Sequence, residues 1–138
     1  MDGDYPWYDG ISDLSPLSDL INLRELYLNK TGISDLSALR GMKNLEVLEL
    51  SRNEVSDISV LENMENMQIL DLSMNNISDI SVLGVMDNLQ KLTIYGNNIS
   101  DLSVLIGLTN LEQIIAADNP LQGDSASWLR SWKTEHGY

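Results

Sequence analysis

Aliphatic residues recur along this chain with a period of 22. One column reads Leu26, Leu48, Leu70, Leu92, Ile114, and a second reads Leu28, Leu50, Leu72, Ile94, Ala116. Others are Ile33, Val55, Ile77, Ile99, Leu121, then Leu14, Leu36, Ile58, Ile80, Leu102, then Leu17, Leu39, Leu61, Leu83, Leu105. Asn22, Asn44, Asn66, Asn88 and Asn110 mark the register, each followed by Leu or Met. The unit reads N-L-x-x-L-x-L-x-x-N-x-I-S-D-L-S-x-L-x-x-M-x. Its L-x-L core alternates apolar and polar, as a half-buried strand must. Leu26 and Leu28 are expected to point inward, Tyr27 and Asn29 outward. The strands should be short, about three to five residues. In the I-S-D-L-S-x-L-x-x-M/L stretch the apolar residues are three apart, a spacing that suits a 3₁₀ or irregular turn better than a long helix.

One such unit cannot bury its own apolar face. Stacked units can, with their parallel strands forming one wall. Coil corners then leave backbone N–H and C=O groups that need partners. The column Asn53, Asn75, Asn97, Asn119 is placed to bond the backbone of its own and the neighbouring turn. Thr31 and Asp9 occupy that column in the earlier coils. Both accept hydrogen bonds without offering amide donors, so the N-terminal end is expected to be looser. Ser34 and its equivalents Ser12, Ser56, Ser78 and Ser100 sit where a hydroxyl could cap the following turn. The ladder Asp13, Asp35, Asp57, Asp79, Asp101 reads as a turn-capping carboxylate in every coil. A calcium role would need the glycine-rich pattern of β-rolls, which is missing.

These motifs carry a resemblance. I-S-D-L-S at Ile11–Ser15 and Ile33–Ser37, I-S-D-I-S at Ile77–Ser81, and Ser15-Pro16-Leu17 resemble the leucine-rich repeats of bacterial internalins. The related phosphatase-regulatory repeat proteins are similar more loosely. The likeness covers roughly residues 9–122. It implies an α/β solenoid: a right-handed leucine-rich-repeat coil with a parallel concave β-sheet and a 3₁₀ or irregular convex side. It also implies a non-catalytic binding module from a bacterial surface or secreted protein. Internalins usually add a helical N-terminal cap and an immunoglobulin-like domain, and neither is found in this sequence. The chain therefore reads as a piece of a longer precursor. Its own N-terminus, Met1-Asp-Gly-Asp, lacks the apolar segment of a signal peptide.

The expected organisation is residues 1–122 as a partial first turn plus five repeats, and 123–138 as a C-terminal capping helix and tail. Residues 1–8 look like the end of a degenerate repeat. In Asp124–Glu135, Trp128, Leu129 and Trp132 share one helical face, suited to sealing the open end of the solenoid. Asp124 or Ser125 is the candidate N-cap. The single His136 is expected in the tail.

Composition narrows the partners. Twenty-one acidic residues face eight basic ones, a net charge of −13. That opposes nucleic acid, whose phosphates need a basic footprint, and an anionic membrane surface. No apolar run approaches the roughly 18 residues of a membrane span. Without cysteine there are no disulfides or thiolate sites. No motif asks for a cofactor or metal.

The outward strand positions vary between repeats while the inward ones stay aliphatic. The candidate ligand face comprises Tyr5, Trp7, Tyr27, Asn29, Val47, Glu49, Arg52, Ile69, Asp71, Lys91 and Tyr95. Its aromatic residues are of the kind that anchor interfaces, and Val47, Ile69, Met74 and Ile115 add an apolar patch. Glu49 and Asp71 fall on adjacent strands, where like charges repel and a basic ligand group would relieve them. A glycosidase-like carboxylate pair is the enzymatic alternative, but a repeat wall offers no deep pocket. The expected partner is a protein, with a glycan as the alternative. Weak self-association through the open N-terminal edge is a further expectation. An intracellular scaffold docking on an enzyme, or a structural spacer, stands as the competing reading.

Overall fold

The computed structural model describes residues 10–138. Five three-residue strands, β1 (Glu25–Tyr27), β2 (Val47–Glu49), β3 (Ile69–Asp71), β4 (Lys91–Thr93) and β5 (Gln113–Ile115), form one parallel sheet in sequence order. Each strand is one turn of a right-handed leucine-rich-repeat coil. The register follows the repeat: Leu26 lies against Leu48, Leu48 against Leu70, Leu70 against Leu92 and Leu92 against Ile114. Five short 3₁₀ segments, Ser15–Leu17, Ser37–Leu39, Ser59–Asn63, Ser81–Val85 and Ser103–Gly107, build the convex side. An α-helix, α1 (Ser125–Glu135), ends the chain.

The aliphatic columns fill the space between wall and convex turns. Leu48, Leu50, Leu72, Leu92 and Ile94 are wholly buried, as are Ile33, Leu39, Leu61, Leu83 and Ile99. Leu26 and Leu28, in β1 and just after it, keep 9% exposure, because no described coil covers them from the N-terminal side. Ile11, Leu20 and Ile21 at the same end are about half exposed.

The polar ladder at the corners works as the sequence suggests. Asn75 Nδ2 donates to Leu50 O at 2.9 Å in the preceding coil and to Leu72 O at 3.1 Å in its own. Its Oδ1 accepts from Val55 N at 2.9 Å. Asn53, Asn97 and Asn119 repeat this pattern. Each inner coil thereby has one corner N–H and one corner carbonyl satisfied, the carbonyl by two asparagines at once. Thr31 does less: its Oγ1 donates to Leu28 O at 2.9 Å and reaches no earlier coil among the described residues. A second ladder uses the register-marking asparagines. Asn88 Nδ2 donates to Glu65 O at 3.0 Å and Asn110 Nδ2 to Asp87 O at 2.7 Å, each across one coil. Longer versions link Asn44 to Ile21 and Asn66 to Lys43.

The caps differ from one expectation. Ser12, Ser34, Ser56, Ser78 and Ser100 do not cap the convex turns. The aspartates one residue later do: Asp35 Oδ1 accepts from Ser37 N at 2.8 Å, and Asp13, Asp57, Asp79 and Asp101 do the same to Ser15, Ser59, Ser81 and Ser103. An ionised carboxylate two residues upstream of the free N–H is the stronger and better-placed acceptor.

Helix α1 seals the C-terminal end with Leu129 and Trp132 buried and Trp128 half-buried. Neither expected N-cap forms in the ordinary way. Asp124 holds the N-cap position without a side-chain bond, while the Ser125 hydroxyl accepts from Leu102 N at 2.9 Å in the preceding coil. His136 is no loose tail residue. Its ring stacks on Trp132 at 4.0 Å, and its Nδ1–H donates to Trp132 O at 2.8 Å.

Candidate functional site

The sheet lays the outward residues in rows. One row runs Tyr27, Glu49, Asp71, Thr93, Ile115; the parallel row runs Glu25, Val47, Ile69, Lys91, Gln113. Tyr27 is 55% exposed and Ile115 40%. Val47, Glu49, Ile69, Asp71 and Thr93 are half-buried by their neighbours, and Lys91 is exposed. Strand alternation is the cause: with the inward leucines committed to the core, every second side chain must face away from it.

Several of the polar residues on and beside these rows are held by contacts within the chain. The Tyr27 hydroxyl donates to Glu25 Oε2 at 2.8 Å. That bond to a carboxylate raises the phenol's pKa above its ordinary value. Asn29 Nδ2 donates to Glu49 Oε2 at 2.7 Å, and Asn29 Oδ1 accepts from Ser51 N at 2.8 Å. Asp71 Oδ1 accepts from Ser73 N at 2.9 Å and from Ser73 Oγ at 2.6 Å. Glu49 and Asp71 do stand side by side. Each already has a donor of this chain, so part of their mutual repulsion is offset without a ligand. Along the wall's edge Arg24 pairs with Glu46 across one coil, Nε to Oε1 at 2.9 Å. So exposed a pair adds well under about 1 kcal/mol.

Arg52 is placed differently from the strand residues. It occupies the corner after the wall with φ of +57°, and Lys30, Met74, Gly96 and Asp118 share that left-handed conformation in their coils. Its side chain therefore leaves from the rim of the sheet. Only Gly96 meets this requirement without steric cost. Tyr95, half-buried, lies two residues beyond β4, in register with Asn29, Ser51 and Ser73. Tyr5 and Trp7 lie outside the described residues. Thus Tyr27, Asn29, Val47, Glu49, Ile69, Asp71, Lys91 and Tyr95 share one face, and Arg52 borders it. Met74 at 43% exposure, beside Gly96, is a rim contact as prominent as Arg52. The sequence places it in the wall's apolar patch, and the left-handed corner puts it on the rim instead.

The five convex aspartates lie on the opposite side. Backbone and hydroxyl donors of the following serines hold the carboxyls of Asp35, Asp57, Asp79 and Asp101 below the usual carboxylate range. For Asp13 the Ser15 side chain leads that effect. Among the described residues no cluster of His, Cys, Asp or Glu could hold a metal ion. No described helix is long and apolar enough to cross a membrane.

Stacked coils, an asparagine ladder and a bare sheet wall define a leucine-rich-repeat solenoid. A family model for leucine-rich repeats, two copies, matches residues 43–84. Two solved internalins of Listeria monocytogenes are similar over 83% of this chain. They are inlF, with 32% identity and a TM-score of 0.80, and internalin C2, with 32% and 0.79. The ectodomain of the receptor kinase SOBIR1 from Arabidopsis thaliana is similar over 78% of the chain, with 25% identity and a TM-score of 0.68. No curated protein matches the sequence. The chain spans 34% of the length of inlF, 51% of internalin C2 and 62% of the SOBIR1 ectodomain. The chain thus has the leucine-rich-repeat fold and is similar to internalins, and leucine-rich-repeat proteins are in general protein-interaction modules.

Proposed function

We propose that this domain binds a protein partner on its concave wall, as a non-catalytic module of a bacterial surface or secreted protein. The observation that carries this reading is the contrast within single strands. Leu26, Leu48, Leu70 and Leu92 repeat one chemistry inward, while Tyr27, Glu49, Asp71, Thr93 and Ile115 present four chemistries outward. Packing explains the first set and makes no demand on the second. Tyr27, Tyr95 and Met74 supply large contact area with few competing internal bonds, and Glu49, Asp71 and Lys91 supply charge selectivity. The broad, open wall favours a macromolecule over a small substrate, because small substrates are held in enclosed pockets. The internalin likeness supports the surface location.

A pull-down compares the wild-type domain with Tyr27→Ala/Tyr95→Ala and with Glu49→Lys/Asp71→Lys. Partners retained by the wild type and lost by both variants support the wall. Equal retention by all three removes it as the binding face and favours a spacer.

A further inference from the structure

The repeat register continues into the capping helix, and the residues it places there depart from the pattern in a directed way. Ser125 extends the column Ser15, Ser37, Ser59, Ser81, Ser103. The next residue back, Asp124, falls where Leu14, Leu36, Ile58, Ile80 and Leu102 enter the core. Gly123 falls where the capping aspartates stand, and Ala126 where Val60, Val82 and Val104 stand.

Asp124 is exposed where its columnmates are buried. A wider α-helix also replaces the narrow 3₁₀ turn. The groove between coils varies in size along the convex side. It holds about 110 Å³ where Val60 lines it, 70 Å³ where Val82 does and 280 Å³ beside Ala38. Between the last convex turn and α1 it reaches about 460 Å³. That volume falls within the range of small-molecule sites.

Its lining has two characters. Ile106, 59% exposed, and the half-buried Trp128 form apolar sides, with Leu102 at the floor. Asp101 and Asp124 supply two carboxylates, and no Lys or Arg lines the cleft. Asp101 is fixed by Ser103, whose N–H lies 2.8 Å from Oδ1 and whose Oγ lies 3.0 Å from Oδ2. Asp124 makes no side-chain capping bond. An indole beside two carboxylates attracts a cation through its ring, when the cation lies over the ring face, as well as through charge.

We propose that this cleft is a second binding site, distinct from the concave wall, for a small organic cation: an ammonium group on an apolar or aromatic body. The ammonium sits between the Asp101 and Asp124 carboxylates, and the apolar body lies between Ile106 and Trp128. The repeat-breaking Asp124 provides charge where a packing residue is otherwise demanded.

The test titrates the full chain with 4-phenylbutylammonium while following the indole N–H resonances by NMR, with Trp128 assigned through Trp128→Phe. The Trp128 signal should shift with saturation while 4-phenylbutyrate and tetramethylammonium leave it in place. Asp124→Asn should weaken the shift about tenfold, the scale of one charge-assisted contact. Ile106→Ser should weaken it too, and both positions are exposed enough to change without unfolding the domain. Tyr27→Ala/Tyr95→Ala should leave it intact, which separates this site from the wall. An absent Trp128 shift, equal response to the carboxylate, or indifference to both Asp124→Asn and Ile106→Ser would overturn the proposal. So would binding of an arginine-bearing peptide in the cleft with no response to the free amine.

Discussion

Leu70 and Asp71 are neighbours in one strand, yet they answer to different constraints. Leu70 is buried among aliphatic residues of adjacent coils, and its columnmates differ by no more than a branch point. Asp71 faces away, and its columnmates are tyrosine, glutamate, threonine and isoleucine. Closeness in sequence therefore says little about role in this molecule, whereas position modulo 22 says nearly everything. The inward set builds one continuous core, so its members can be judged by packing alone. The outward set is free of that demand and can be shaped by a partner.

The sharpest way to break the contrast is to attack the inward set. Leu70→Ala should cost about 3 kcal/mol, in the range for a large-to-small change in a closed core, as read by urea unfolding. Asn75→Ala comes next. It leaves Val55 N without its partner, while Leu50 O and Leu72 O keep Asn53 and Asn97 as donors, and about 2 kcal/mol should be lost for the orphaned buried N–H. Thr31→Ala, at the end where the ladder is incomplete, should cost only about 1 kcal/mol. Gly96→Ala should cost about 1–2 kcal/mol: its φ is +67°, and a Cβ there would come within 2.6 Å of Met74 Sδ. Outward, Thr93→Ala should change stability by less than about 0.5 kcal/mol. A Thr93→Ala cost matching that of Leu70→Ala would erase the distinction between faces.

The acid limb sharpens it further. The convex carboxyls titrate below their ordinary 3.8 in the folded chain. A depressed folded pKa contributes stability above the unfolded value, and that contribution fades as pH falls through the folded one. The melting-temperature gap between wild type and Asp57→Ala should therefore be constant near neutrality and close below pH 3.8. A gap that persists undiminished at still lower pH would assign Asp57 a role other than accepting from Ser59.

Much of this was legible in the chain because the repeat states each constraint several times over. Alternation within L-x-L gave strand and facing together, and the Asn53–Asn119 column announced an internal hydrogen-bonding role. Less legible were interactions set by a neighbour's position. The Asp35 type of cap and the Ser34 type of cap are one residue apart, and only the backbone path decides between them. The Asn88 ladder needs the convex end of the previous coil to come within reach. His136 gains its place from Trp132, one helical turn back, which a reading of a terminal residue as tail overlooks. The wall's rows were readable, but the rim placement of Arg52 and Met74 depends on a left-handed corner that their side chains do not advertise.

Photo-crosslinking tests the central claim most directly. A p-benzoylphenylalanine replaces Thr93 on the wall in one sample and Ser81 on the convex side in another, each mixed with the same partner-containing extract. The account predicts a discrete adduct from position 93, abolished by Tyr27→Ala/Tyr95→Ala, and none from position 81. Adducts from position 81 alone, or equal adducts from both that survive the double substitution, would contradict it.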